Sequence, residues 1–268
     1  MQVESESCLV NIRGINQKAI TLFLIFQVTA MAAAAQVSPD PRIDGKWFAY
    51  PQRMGEARLD PSVSLLPSRI PDPPLKPEYL GPWQEEQEII REANARGEPI
   101  ATHYTRCIPD GMPAMMMAMF PMEVLESQGQ VTIIQEAYNQ VRRIYLDQDQ
   151  VAFDEAEPRF WGHSVGHWEG NTLVVDTVGI KDYVRFRNVP HSNRIRITER
   201  IRLVSDDIME NSVTVEDPEF LTEPWAWTWM YERHPEYKMY EYVCEDNREY
   251  ADPETGEARM KLFGVSEP

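Results

Sequence analysis

The chain has 268 residues and a formal net charge of −17, from 43 acidic against 26 basic side chains. A surface of that sign repels phosphate backbones, which excludes nucleic acid as an expected partner. It says nothing about fold, which has to come from patterning along the chain.

The first 35 residues read as a secretory signal peptide. Arg13 and Lys18 precede an apolar run from Ala19 to Met31, and Ala33-Ala34-Ala35 before Gln36 offers a small-residue cleavage site. The run falls short of the roughly 20 apolar residues of a membrane span, so no stable membrane insertion is expected once it is removed. A periplasmic or secreted location follows. Cysteine usage agrees: Cys8 leaves with the signal, and Cys107 and Cys244 form an even pair. In an oxidising compartment such a pair predicts a disulfide.

Residues 36–80 are rich in proline and read as an extended arm. A helix is predicted over 83–95, with Pro82 opening it, Glu85, Glu86 and Glu88 loading its first turns and Gly97 closing it. The rest of 81–125 is a loop holding Cys107 and six methionines: Met112, Met115, Met116, Met117, Met119 and Met122. Thioethers are soft ligands for Cu(I). With no histidine interleaved, flexible filling of apolar space is the simpler role.

From 126 to 268 the pattern is strand after strand, predicted near 130–137, 141–147, 158–168, 172–178, 193–204, 208–216, 224–233 and 237–244. Short links force antiparallel neighbours. The expected fold is therefore mainly β: an antiparallel up-and-down meander closing into a lipocalin-like barrel of eight strands, with a two-sheet sandwich as the alternative. Such a barrel can hold one small ligand.

Strand side chains alternate between faces, so polar residues in step with apolar ones mark candidate sites. In 193–204, Glu199 shares the parity of Ile195, Ile197, Ile201 and Leu203, while Arg194, Arg196, Arg200 and Arg202 take the other face. A buried carboxylate needs a partner or a proton, and Arg142, in step with Ile144 and Leu146, is the candidate partner. Trp161, His163, Val165 and His167 share a face, and a hairpin turning over two or four residues brings Asp176 onto it, whereas a three-residue bulged loop would not. A histidine oriented by a carboxylate suits proton transfer. His191 and Asn193 extend the parity of Glu199. Trp225, Trp227 and Trp229 form one indole row, and Tyr242 is in step with Tyr240 and Cys244.

The phrases FPMEVLESQGQVTIIQEAYNQVRRIYLD, WGHSVGHWEGNTLVVDTVG, PHSNRIRITERIRLV and EYVCEDN resemble a family of uncharacterised exported bacterial proteins, over about Cys107 to Asn247. His163, Asp176, His191, Glu199 and Tyr242 fall within those phrases. His167 stands where the family's phrase has Arg. The resemblance implies export and carries no activity.

Together these residues predict a metal-independent enzyme with a Trp-lined apolar cavity and no cofactor. His163, oriented by Asp176, would act as base, with Glu199 or Tyr242 as acid and His191 polarising an oxygen. Trp161, Trp225, Trp227, Trp229, Arg142 and Asn193 would line the site. The chemistry would be of lyase, isomerase or hydrolase type on a small, largely apolar molecule. The alternatives are a lipocalin-like protein that binds a small molecule without catalysis, and a zinc or copper protein using His163, His167 and Asp176.

Overall fold

The computed structural model describes residues 43–50, 70–97, 107–117, 120–244, 249–251 and 258–260, all within the unit Asp40–Pro268. The expected signal peptide lies outside the described residues, as do much of the expected arm and Met119.

Nine strands follow one another around a closed barrel. They are β1 (Gly45–Tyr50), β2 (Met122–Ser127), β3 (Gln130–Gln135), β4 (Gln140–Leu146), β5 (His163–Glu169), β6 (Thr172–Val178), β7 (Arg196–Leu203), β8 (Ile208–Glu216) and β9 (Trp225–Arg233). β9 closes on β1 antiparallel, Trp47 opposite Arg233. Strict alternation would make the first and ninth strands parallel, so a ring of nine that closes antiparallel must contain a parallel pair elsewhere. It lies between β4 and β5, where Ile144 pairs with Ser164 and Leu146 with Gly166. Parallel neighbours need a crossover of a dozen or more residues, and 147–162 supplies it.

The expected closed, mainly β barrel is therefore present, with nine strands in place of eight and one parallel step. β1 lies within the segment read as an arm, and β2 begins inside the segment read as a Met-rich loop. The expected strand 237–244 is irregular. Its backbone finds side chains in place of a ladder: Glu136 accepts from the Tyr240 amide at 2.7 Å, and Asn139 donates to the Tyr242 carbonyl at 2.7 Å. Cys244 at its end is bonded to Cys107, with Cα atoms 5.7 Å apart.

Helix α1 (Pro77–Arg96) starts one and a half turns before the expected 83. Pro77 takes its first position, where a missing N–H costs nothing, and Gly97 ends it at φ +74°. Trp83 and Ala93 are buried and Ile89 is exposed. A separate hairpin pairs β10 (Glu249–Ala251) with β11 (Ala258–Met260).

The barrel is filled with side chains. Ile133, Ile144, Leu173, Val175, Ile197, Ile201 and Val213 point inward from successive strands, and Trp47, Trp225 and Trp227 join them. A 3-10 turn (Ala114–Met117) brings Met115, Met116 and Met117 into the same core. Gln135 donates to the Met115 carbonyl at 2.7 Å, Tyr231 donates to that of Met116, and the Trp227 indole N–H reaches the Met117 sulfur at 3.0 Å. The methionines thus fill apolar space, as unbranched thioethers can.

Candidate functional site

The expected constellation divides between the two faces of the barrel wall. Glu199 faces inward at 0% exposure beside Arg142 at 1%. The two form an ion pair through Arg142 Nη2 and Glu199 Oε2. Thr177 accepts from the same guanidinium at 3.0 Å and Ser164 at 3.2 Å. Asn211 donates to Glu199 Oε1 at 2.8 Å. Burial pushes the nearby Tyr231 hydroxyl far above the usual phenol range, so it stays a donor. Five strands (β4 to β8) thus meet in one internal polar network, and Glu199 is held by partners on both oxygens.

His163 and Asp176 lie on the outer face. Val165 is opposite Asp176, and His163 is opposite Val178, so the shared face expected for His163, His167 and Asp176 is present. His163 and Asp176 do not bond to each other. Asp176 pairs with Arg196 at 3.3 Å, and its carboxyl is raised above the usual range by burial, opposed by Arg196 and Gln150. His163 stacks on Tyr145 at 5.7 Å, and burial, then the charge of Arg159, holds it below the usual imidazole range. Both groups are pushed toward their neutral forms, the opposite of an imidazolium–carboxylate dyad.

The metal alternative fails on spacing. His163 and His167 are four residues apart on one strand, roughly 13 Å at about 3.3 Å per residue, too far to share an ion. His167 is exposed and contacts Glu169 at 3.2 Å, while Glu169 also pairs with Arg200 at 2.8 Å. Among the described residues, no three His, Cys, Asp or Glu side chains converge as ligands.

The remaining candidates are dispersed. His191 sits before β7 with Nδ1 3.0 Å from the Ser192 carbonyl and Nε2 2.9 Å from that of Val184. Asn193 is exposed in a turn. Tyr242 packs between Phe120, edge to face, and Tyr138, tilted. Trp161 donates to Gln140 at 3.3 Å. Trp225 donates to the Pro71 carbonyl at 3.0 Å, and its ring packs on Trp227 at 4.9 Å. The indole row therefore belongs to the core, where Trp229 packs against the same cluster.

A ligand-sized space does exist, on the outer wall. The crossover passes over β5 to β7. Gln150 donates to the carbonyls of His163 (3.3 Å) and Asp176 (2.9 Å), and the Phe153 ring lies under the guanidiniums of Arg196 (5.3 Å) and Arg194 (6.0 Å). Between Phe153 and the β8–β9 loop is an open cleft of about 320 Å³, with Leu221 and Pro224 on its apolar side. Asp217 fixes that loop. Nearly buried, it accepts from the Ser192 amide (2.6 Å), the Ser192 hydroxyl (3.0 Å) and the Glu219 amide (3.0 Å). The loop is further pinned where Leu75 bridges Leu221 and the Thr222 amide donates to the Pro74 carbonyl at 2.9 Å.

Phe153, Arg194, Arg196 and the β8–β9 loop are absent from the expected site. A signal for half of them was present: the arginines of 193–204 fall on the solvent parity, and a cationic outer row is a binding surface as readily as a solvated one.

Fold and cleft together define a closed β-barrel with a filled interior and a ligand-sized groove in its outer wall. No family model and no curated protein sequence matches the chain. Among solved structures it is similar to a REP1-NXSQ fatty acid transporter, at 16% identity and a TM-score of 0.28, over 49% of this chain and 84% of that one.

Proposed function

We propose that the protein binds a small molecule without transforming it, and that the ligand lies in the outer groove between the crossover and the β8–β9 loop. The observation that carries this is the groove itself: about 320 Å³ of open space with an aromatic and aliphatic lining and charged groups at its sides. Ligand sites begin at about this volume and combine apolar walls with a few placed polar groups. Acid–base catalysis finds less support. Glu199 is occupied by Arg142 and Asn211, His163 and Asp176 do not bond to each other on the outer wall, and Tyr242 packs against aromatic neighbours. Export fits the same picture, because the Cys107–Cys244 disulfide belongs in an oxidising compartment. No described helix is long and apolar enough to cross a membrane.

The test is a compound screen on protein purified from an oxidising compartment, read by thermal shift and by native mass spectrometry. Bound compound should be recovered chemically unchanged. Phe153→Ala, at a half-buried outer position, should weaken binding at least about tenfold and leave the fold intact. Turnover of the captured compound, or full affinity in Phe153→Ala, would refute the assignment.

A further inference from the structure

The charges around the groove carry the reading above one step further, to the chemistry of the ligand, and the step rests on that reading. Two guanidiniums, Arg194 and Arg196, face three carboxylates, Glu216, Asp217 and Glu223. Two of these charges already have work. Arg196 is held by Asp176 at 3.3 Å and lies directly opposite Glu216 in the β7–β8 register. Asp217 spends its oxygens on the Ser192, Glu219 and Phe220 donors that shape the loop.

Beyond Arg196 and Asp217, three charges remain without an ion-pair partner among the described residues: Glu216, opposite Arg196 in the ladder, and Arg194 and Glu223. Arg194 enters from the segment before β7 with its guanidinium over the Phe153 ring, and Glu223 enters on the β8–β9 loop. A simple anion would meet Arg194 but add to a lining that is already net negative. A simple cation would meet Glu223 and leave Arg194 facing it. A ligand bearing both charges meets both groups and brings no net charge of its own. Phe153, beside Arg194, offers an apolar surface for the body of such a ligand.

We propose that the groove selects a zwitterion, with a carboxylate directed to Arg194, an ammonium directed to Glu223 and an apolar or aromatic body against Phe153. Arginine suits the first role because its fork matches a carboxylate in two hydrogen bonds.

Three probes of one skeleton separate the terms: L-phenylalanine with both charges, 3-phenylpropanoate with the anion alone, and phenethylamine with the cation alone. Each is titrated calorimetrically at low ionic strength into the full mature protein. L-Phenylalanine should bind at least tenfold more tightly than either truncated probe. Arg194→Ala should reduce it to the level of phenethylamine, and Glu223→Gln to that of 3-phenylpropanoate. Both residues are exposed, so neither change threatens folding. Equal affinity for L-phenylalanine and one truncated probe overturns the zwitterion and leaves groove binding standing. So does failure of all three probes while another compound binds in a Phe153-dependent way. Loss of Phe153 dependence for every compound removes the groove assignment as well.

Discussion

Removing the charge of Glu199 while keeping its shape, as in Glu199→Gln, should be among the most damaging single changes in the barrel. Glu199 and Arg142 are 0% and 1% exposed, so neither can turn to water when its partner is lost. The guanidinium would keep Ser164 and Thr177 and lose its only counter-charge among the described residues. Stranding one member of a buried pair costs about 3–5 kcal/mol, which for a domain of this size lowers Tm by roughly 6–20 °C. Replacing both members, Arg142→Met with Glu199→Leu, removes the stranded charge. It should cost less than the two single changes combined by at least about 2 kcal/mol. The exposed pair Arg200–Glu169 is the control: Glu169→Gln should cost within about 1 kcal/mol. Urea unfolding with linear extrapolation measures all five variants: Glu199→Gln, the two single changes, the double change and Glu169→Gln. A loss below about 1 kcal/mol for Glu199→Gln, or additive single and double effects, would refute the view that this pair is a desolvated, mutually dependent unit.

Further outcomes follow from other parts of the wall. Cys107 and Cys244 close a loop with a sequence separation of 137; changing both to Ser should cost about 2–4 kcal/mol, and reductant should lower the Tm of the parent protein but not of the double variant. Gly162 and Gly170 have φ of +64° and +61°, but only at Gly162 would a Cβ meet backbone, 2.5 Å from the Val178 oxygen. Gly170→Ala should therefore lose about 1–2 kcal/mol for the left-handed conformation alone, and Gly162→Ala clearly more; equal losses in urea midpoint would show that contact contributes nothing. His163 is held below its ordinary value of 6.5, so the unfolded chain binds that proton more tightly than the folded one. Stability should fall as pH drops through 6.5 toward the folded-state value, and His163→Gln should flatten that part of the Tm profile; an unchanged profile would remove His163 as its source.

The strands with a single apolar face were the most legible. The predicted spans 172–178 and 208–216 coincide with β6 and β8. The parity of β7 placed Glu199 inward and predicted the Arg142 pairing that the barrel contains. β1 escaped because GKWFAY is six residues between proline-rich stretches, and its partner strands are more than 70 positions away. Tyr240, Tyr242 and Cys244 alternate like a strand, yet Pro235 follows β9 and, among the described residues, no strand pairs with them. The deeper difficulty lay in β5 and β6. Val165 and Val178 on the outer face are buried, as are Leu173 and Val175 on the inner one. A strand apolar on both sides carries no parity signal for which side is the barrel lumen. His163 and Asp176 therefore shared a face, as expected, and the face was the outer one.

That covered outer face traces back to the strand count. An even meander could close with short hairpins throughout and leave its outer surface to solvent. Nine strands closed antiparallel require a parallel step, and the step requires a chain long enough to travel back along the barrel. Residues 147–162 make that return over β5 to β7, burying Val165 and Val178 and shielding Asp176 so that its carboxyl is harder to ionise. The same segment carries Phe153 out to Arg194 and Arg196 and so forms one wall of the groove. The β8–β9 loop, held by Asp217 and by the Leu75–Leu221 bridge, forms the other. Binding capacity thus sits on the outside because the interior is committed to packing and to one buried ion pair, while the topology places an extra layer of chain against the wall. Shortening the crossover should then abolish ligand binding before it abolishes the barrel, since the ladder hydrogen bonds of β5 to β7 do not depend on Phe153.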